Sequence, residues 1–181
     1  MLWEAVLIGL IIGWLRNGKV KNLGKSSFSL WFIMFIAIAI QILIWVDYTF
    51  LPGYLASYYP YLYTLSFFLL VTFIIFQGWQ FGIVIIGIGI LLNFLVIAAN
   101  DGKMPVDITK MPPEAAEELI ASDSSPFHTA MTEETPLAIL GDRISVPYKK
   151  NQLLSIGDII LAAGVTFYIQ HNMRKKKIPK H

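Results

Sequence analysis

The sequence predicts an all-α membrane protein with five transmembrane helices and a small extracytoplasmic cap. Hydrophobic residues make up 56% of the 181 residues and charged residues only 14%, against about 25% charged residues in a typical soluble domain. The apolar residues form long uncharged blocks, which is the pattern of membrane spans rather than of a soluble core. Lysine and arginine are concentrated in two segments, which sets an expected orientation.

Five apolar blocks define the expected spans. They are Leu2–Leu15, Ser29–Tyr48, Tyr61–Phe76, Phe81–Ala99 and Leu153–His171. The first block is shorter than the about 20 residues that a hydrocarbon core requires. We therefore expect either local membrane thinning around it or burial against neighbouring helices.

The basic residues predict that the N-terminus lies outside the cell and the C-terminus inside. The loop after the first span carries Arg16, Lys19, Lys21 and Lys25, and the tail carries Arg174, Lys175, Lys176, Lys177 and Lys180. Both segments lie in the cytoplasm if five spans are present and the chain starts outside. The expected organisation is a four-span bundle over residues 1–99, a cap over 100–152, the fifth span over 153–171 and a basic cytoplasmic tail over 172–181.

The predicted cap contains nine of the twelve acidic residues. Its segment MPPEAAEELIAS predicts a short helix, with Pro113 in the first turn and Glu114 at the positive end of the helix dipole. Its segment TEETPLAILGD predicts a second short helix that starts after Thr135 as N-cap and ends at Gly141 in a left-handed conformation. The cap is short for an independent domain, so we expect it to pack on the membrane helices.

Asp158 is the carboxylate inside the last span, LLSIGDIILAAGVTFYIQH. An acid at the centre of a span costs about 3 kcal/mol, but Asp158 lies only about 6 Å from the start of this span. By the expected topology that start is at the outer membrane face, where water is available. Two interpretations follow: a structural carboxylate bound to a neighbour, for example Lys149, Lys150 or Arg143, or a functional group, since acids within spans are often functional.

Small and polar residues form stripes on two other spans. The stripe on the fourth span is Gly82, Ile86, Gly89, Asn93, Ile97 and Asn100, and the stripe on the first span is Ala5, Gly9 and Gly13. Spacings of three and four residues place each stripe on one helical face. Such faces are typical of close helix packing, with Asn93 as an interhelical hydrogen-bonding group.

Two carboxylates, Asp142 and Asp158, flank the entrance of the last span and form a candidate catalytic pair. Two carboxyl groups that share a proton provide one acid and one base, as in aspartic proteases. The alternative is a solvated loop aspartate beside a structural one. His128 is interpreted as a surface residue, or as a metal ligand together with Glu133, Glu134 or Asp142.

Several classes of site are not expected. The chain has no cysteine, and it lacks an HExxH zinc motif, a G-x-S-x-G nucleophile motif and the glycine-rich loops that bind nucleotides. We therefore predict no metal and no cofactor. We also predict no nucleic-acid partner, because the basic tail follows the positive-inside rule. The expected partners are the lipid bilayer and a membrane protein or lipid-linked molecule on the outer face.

Four motifs, NDGKMPV, FHTAMTEET, LGD and SIGDII, resemble a family of small bacterial multi-pass membrane proteins classed as a domain of unknown function. The resemblance covers most of the chain and is strongest over residues 98–166. It implies a bacterial cell membrane and no particular activity. The family motif positions that it implies are Asn100, Gly102, Met104, Pro105, His128, Thr135, Gly141, Asp142, Gly157 and Asp158.

The order of three further elements is similar to that in lipoprotein signal peptidase, an intramembrane aspartyl peptidase. The elements are Asn100-Asp101-Gly102, Asp142-Arg143 and Asp158. This chain differs from that enzyme in several ways. It has five predicted spans instead of four, and no span separates the first two elements. It also has Ser155 and Ile156 where an asparagine would precede the final aspartate.

These observations leave three functional classes. Since no strong catalytic motif is present, the leading prediction is a non-enzymatic accessory or ligand-binding subunit that acts through its cap. Its candidate binding residues are Asn100, Gly102, Met104, Pro105, His128, Thr135 and Arg143. The alternative is an intramembrane aspartyl peptidase that uses Asp142 and Asp158. A transporter using Glu4, Asn93 and Asp158 ranks third, because the stripe on the fourth span becomes apolar toward the cytoplasm.

Overall fold

The computed structural model describes residues 2–25, 28–121, 125–146 and 149–174. Its helices are α1 (Leu2–Leu15), α2 (Trp31–Phe50), α3 (Tyr59–Ile75), α4 (Phe81–Ala99), α5 (Pro113–Ala121) and α6 (Ile156–Met173). Its strands are β1 (Met104–Val106), β2 (His128–Ala130), β3 (Ile144–Val146) and β4 (Lys149–Leu154). The chain is therefore mostly helical, with short strands confined to the segment between α4 and α6.

Within the described residues, three helical segments are long and apolar enough to cross a membrane: Trp31–Phe50, Ala56–Ile75 and Phe81–Ala99. The first and fourth predicted spans coincide with α1 and α4. With 14 residues, α1 is the short apolar helix that the sequence predicts. The membrane-helix character of the chain is confirmed for these three segments, whereas five spans and an outer N-terminus remain predictions.

Glycines allow α6 to pack closely against both α1 and α4. A Cβ atom on Gly9 of α1 would lie 3.0 Å from the Cβ of Ile169, and one on Gly89 of α4 would lie 2.6 Å from the carbonyl oxygen of Gly157. Ala5 of α1 also contacts α6, since Thr166 Oγ1 donates to the carbonyl oxygen of Ala5 at 3.0 Å. These contacts confirm the predicted small-residue face on α1. The order of contacts along the helices shows that α6 runs parallel to α1 and antiparallel to α4.

The cap contains two small sheets that the sequence analysis did not predict. Strand β1 pairs in parallel with β2, with Met104 opposite His128, and β3 pairs antiparallel with β4. The sequence predicted only short helices here. Three of the four strands have three residues and are too short to show an alternating pattern, and β4 was divided between the predicted cap and the predicted last span. The predicted helix at MPPEAAEELIAS is confirmed as α5.

The second predicted cap helix is wrong. Thr135 Oγ1 accepts a hydrogen bond from the backbone N–H of Thr132 at 2.8 Å, so it closes a turn, and the only helical part that follows in this segment is one 3₁₀ turn, Ala138–Leu140. The left-handed residue is Leu137, with φ of 52°, whereas Gly141 is extended. Gly141 serves a close approach, since a Cβ atom there would lie 2.6 Å from the carbonyl oxygen of Pro105.

The helix in the last predicted span begins later than predicted. Leu153 and Leu154 belong to β4, and α6 starts at Ile156 with Ser155 as its N-cap. These two leucines are buried and apolar, which is why composition alone assigned them to the span. Asp158 therefore lies in the first turn of α6 rather than one turn inside a helix.

Candidate functional site

Asp158 and Ser155 form a capping box at the start of α6. Ser155 Oγ accepts a hydrogen bond from the backbone N–H of Asp158 at 2.9 Å, and Asp158 Oδ2 accepts one from the backbone N–H of Ser155 at 3.4 Å. The arrangement satisfies two amide groups that have no partner within the helix. A carboxylate here also faces the positive end of the helix dipole.

Asn93 of α4 connects to both residues of this cap. Its Nδ2 donates to Asp158 Oδ1 at 2.8 Å, and its Oδ1 accepts from Ser155 Oγ at 2.9 Å. Asn93 is buried, and Gly157 leaves room for it, because a Cβ atom on Gly157 would overlap the Asn93 amide. The predicted interhelical role of Asn93 is confirmed, and Asp158 has a hydrogen-bonding neighbour as the structural interpretation requires.

A cavity of about 280 Å³ lies between the cap and the start of α6. It is lined by Val106, Met111, Leu119, His128, Asp142, Gln152, Leu153 and Asp158. We call it the acidic cavity. It brings together Asp142, Asp158 and His128, which the sequence analysis had singled out as candidate functional groups. The predicted lysine partners of Asp158, Lys149 and Lys150, have side chains outside the described part of the structure.

Asp142 is held by the backbone of the cap and is only 8% exposed. Its backbone N–H donates to the carbonyl oxygen of Pro105 at 2.9 Å, and its carbonyl oxygen accepts from the N–H of Asp107 at 2.9 Å. Its Oδ2 lies 3.8 Å from His128 Nε2, which is too long for a hydrogen bond. Its Oδ1 is buried and has no hydrogen-bond partner within the described residues.

Burial at the acidic cavity favours a neutral His128 and raises the protonated fraction of Asp142. Burial raises the pKa of Asp142 to about 7, and the nearby charge of Asp158 adds to this rise. Partial burial lowers the pKa of His128, because the imidazole loses contact with water. The charge of Asp158 opposes this change, and the side chain keeps 46% of its surface exposed. Near neutral pH, Asp142 is therefore about half protonated, and its contact with His128 is not a firm ion pair.

Comparison with known families identifies the relatives of this chain. A family of unknown function, DUF5317, matches residues 25–170. The chain belongs to this family. An uncharacterized protein from Thermotoga maritima is 29% identical over 170 residues, which cover 93% of this chain and 89% of that protein. No solved structure matches the chain. Membership confirms the family resemblance read from the cap motifs, and DUF5317 implies no activity.

In this DUF5317 chain, Asn100 and Gly102 join the cap to the membrane helices. Asn100 Nδ2 donates to the carbonyl oxygens of Val96 at 2.7 Å and Pro136 at 2.9 Å. Gly102 has φ of +73° and its Cα lies against the backbone of Pro60, so a side chain is excluded there. Neither residue lines the acidic cavity. Their contacts give Asn100 and Gly102 a structural role, which is to hold the cap against the membrane helices.

Of the other predicted binding residues, only His128 lines the acidic cavity. Met104 and Pro105 are buried, and Met104 packs on the apolar end of α4. Thr135 closes the turn described above. Arg143 contributes backbone contacts, because its N–H donates to Leu154 and its carbonyl oxygen accepts from Lys110 Nζ at 2.8 Å. Among the described residues, no group of three or more His, Asp or Glu side chains is arranged to hold a metal ion.

Sequence reasoning missed two polar residues with clear roles. Gln152 lines the acidic cavity next to Asp158. Asp47, near the end of α2, is 2% exposed, and its Oδ2 accepts from the N–H of Leu55 at 2.8 Å and from the hydroxyl of Tyr59 at 2.9 Å. An acid near the end of an apolar block that is followed by a tyrosine-rich loop was the available signal for Asp47.

Proposed function

We propose that the protein is a membrane-embedded binding protein whose cap and last helix together hold a small ligand bearing an ammonium group. The observation that carries the proposal is the buried, unpartnered Oδ1 of Asp142 at a cavity that also contains Asp158. A buried acceptor without a donor costs about 1–3 kcal/mol. A ligand that supplies N–H donors removes this cost.

The walls of the acidic cavity fit such a ligand. Two carboxylates attract a cation, and apolar side chains such as Leu119 and Leu153 line the rest of the cavity. Binding sites commonly combine apolar walls with a few polar groups that fix the orientation of the ligand. Neutral His128 offers a further acceptor or donor at the rim. The role is that of a non-enzymatic accessory or ligand-binding subunit, with a membrane protein or lipid-linked molecule as its partner.

The bacterial cell membrane is the proposed location. Three helices of membrane-spanning length and a family relative from the bacterium Thermotoga maritima support it. The basic loop after α1 also meets the far end of α6, since Arg16 Nη1 donates to Gln170 Oε1 at 2.9 Å. The loop that carries Arg16, Lys19, Lys21 and Lys25 therefore lies at the end of α6 opposite the cap, which supports an outer cap by the positive-inside rule.

The proposal is tested with n-butylamine as the probe and the purified full-length protein in detergent at pH 7. We expect a dissociation constant in the millimolar range, which corresponds to about 4 kcal/mol, measured by isothermal titration calorimetry. Butan-1-ol, which has no positive charge, should bind at least tenfold more weakly. Asp142→Asn and Asp158→Asn should each weaken butylamine binding at least tenfold.

Asp107→Asn provides the matched control. Asp107 is a cap carboxylate that bonds to Thr109 and Lys110 and does not line the acidic cavity. This variant should bind butylamine as the wild type does. The proposal would be overturned if the wild type did not bind butylamine. It would also be overturned if Asp142→Asn and Asp158→Asn bound butylamine as tightly as the wild type.

An aspartyl peptidase is the second candidate, and one specific observation favours it. A carboxyl group with a pKa of about 7 beside a second carboxylate at one cavity is the protonation pattern in which one group acts as acid and the other as base. Asp158 would take a proton from a water molecule as the water attacks the peptide carbonyl carbon, and Asp142 would donate its proton to the carbonyl oxygen. The C–N bond would then break as Asp158 passes its proton to the amide nitrogen and Asp142 takes a proton back from the hydroxyl group of the intermediate. Hydrolysis of a membrane-anchored peptide substrate that is lost in Asp142→Asn and kept in Asp107→Asn would support it.

A further inference from the structure

A second cavity adjoins the acidic cavity on the membrane side. It has a volume of about 360 Å³ and is lined by Leu2, Trp3, Gln152, Leu154, Asp158, Leu161 and Ala162. Asp158 and Gln152 therefore line both cavities. We call the second cavity the α1–α6 groove, because its apolar walls come mainly from the first turn of α1 and the first two turns of α6.

The polar side chains of the α1–α6 groove lie only at its junction with the acidic cavity. The groove has its two polar side chains, Asp158 and Gln152, at the end shared with the acidic cavity. Its other walls are apolar, and Leu2 and Trp3 remain 54% and 80% exposed. In a membrane these exposed apolar side chains contact lipid. The groove thus runs from the acidic cavity to the lipid, over about 6 Å between Asp158 and Ala162 at 1.5 Å per residue.

Charge also favours one kind of occupant. The described lining of both cavities includes Asp142 and Asp158 but no lysine or arginine. An anionic head group would therefore be repelled, whereas a head group with a positive charge and N–H donors matches the two acids. The apolar remainder of the groove matches an alkyl chain.

We infer that the ligand is a membrane amphiphile with a primary ammonium head group, which lies in the acidic cavity while its alkyl chain follows the α1–α6 groove into the lipid. This inference rests on the proposed ammonium-binding function and adds the ligand class and the route of entry. Asp158 is the residue at the junction, so it contacts the head group. Ala162 marks the path of the chain.

Chain length and one blocking substitution test the inference. We expect n-octylamine to bind the full-length protein in detergent at least tenfold more tightly than n-butylamine, because four further methylene groups are buried in the groove. Ala162→Trp fills the groove beyond Asp158, so it should remove most of this gain and leave butylamine binding unchanged. Ala163→Trp, at an exposed neighbouring position of the same helix that does not line the groove, should keep the gain.

The outcomes separate the two proposals. A tenfold gain that Ala162→Trp abolishes and Ala163→Trp retains supports the inference. Equal affinity for both amines, or a gain that both variants retain, overturns the inference and leaves ammonium binding in place. Failure of butylamine to bind the wild type overturns the proposed function and this inference with it. Retained butylamine binding by Ala162→Trp shows that the variant is folded.

Discussion

Asn93 donates from Nδ2 to Asp158 Oδ1 across 2.8 Å and so joins the interior of α4 to the first turn of α6. The same amide accepts from Ser155 Oγ, so one buried side chain fixes both members of the capping box. The carboxylate of Asp158 is therefore held at a defined place between the α1–α6 groove and the cavity that contains Asp142. Its position is set by helix packing rather than by the cap.

Replacing Asn93 with leucine should destabilise the protein. Ser155 and Asp158 would each lose a partner, and unpaired groups of this kind cost about 1–3 kcal/mol each. We expect a lower thermal midpoint and weaker butylamine binding, because Asp158 is no longer oriented. Thr72→Val is the control, since Thr72 makes an exposed bond within α3. An unchanged midpoint for Asn93→Leu would contradict the account.

Stability should fall between about pH 4 and pH 7 because of Asp142. Its pKa of about 7 in the folded protein is above its ordinary value of 3.8, so the folded state holds this proton more tightly than the unfolded state does. Stability contributed by the protonated form is present at low pH and is lost as the pH rises through 7, with a total of about 4 kcal/mol at most. Thermal midpoints measured from pH 4 to pH 8 test this.

Asp142→Asn should remove most of that decline, because an amide does not ionise. Asp107→Asn should retain it, since hydrogen bonds lower the pKa of Asp107 and its contribution has the opposite sign, lost as the pH falls. A wild-type midpoint that does not change between pH 5 and pH 8, or a decline that is equal in Asp142→Asn, would show that Asp142 is not a protonated buried acid.

Close packing of α4 on α6 predicts a sharp difference between two glycines. Gly89→Ala places a Cβ atom 2.6 Å from the Gly157 carbonyl oxygen, and relief of such overlap costs about 1–3 kcal/mol. Gly78→Ala lies in a loop where a Cβ atom meets no atom within 4 Å, so the thermal midpoint should change little. Equal midpoints for the two variants would show that the helices do not approach this closely.

Asp47 should behave as a structural acid that is separate from the ligand site. Asp47→Ala leaves the Leu55 amide and the buried Tyr59 hydroxyl without their acceptor, so we expect a loss of about 1–3 kcal/mol. Asp47→Asn keeps an acceptor oxygen and should lose less. Both variants, if folded, should bind butylamine with wild-type affinity. Weaker butylamine binding by folded Asp47→Asn would show that the two sites are coupled.

The sequence predicted the helices better than the cap. The bounds of α1 and α4 follow from apolar blocks that end at basic or polar residues. The small-residue stripes predicted which faces of α1 and α4 pack closely, because glycine spacing fixes a face, but they did not predict that both faces pack on α6. The cap strands were missed since their pairing depends on long-range contacts, such as Met104 beside His128. The helix predicted at Thr135 failed because Thr132 and Thr135 close a turn instead.

Part of the candidate site was also predictable. The order of segments placed Asp142 and Asp158 on either side of the entrance to the last helix, and both line the acidic cavity. The roles of Asn100, Gly102 and Thr135 were not predictable, because a sequence motif alone does not distinguish a residue that binds a ligand from one that stabilises a loop. Gln152 was missed because it has no motif of its own, and its place at the acidic cavity depends on the strand β4 that was not predicted.

The most direct test of the account is the titration of the Asp142 carboxyl group in the presence and absence of butylamine. The signal is followed by ¹³C NMR of aspartate-labelled protein and assigned with Asp142→Asn. The account predicts a pKa of about 7 without the amine and a clearly lower pKa at saturating butylamine, because a bound ammonium group favours the ionised form. A pKa that stays the same when the amine is added would contradict the claim that Asp142 holds the ligand.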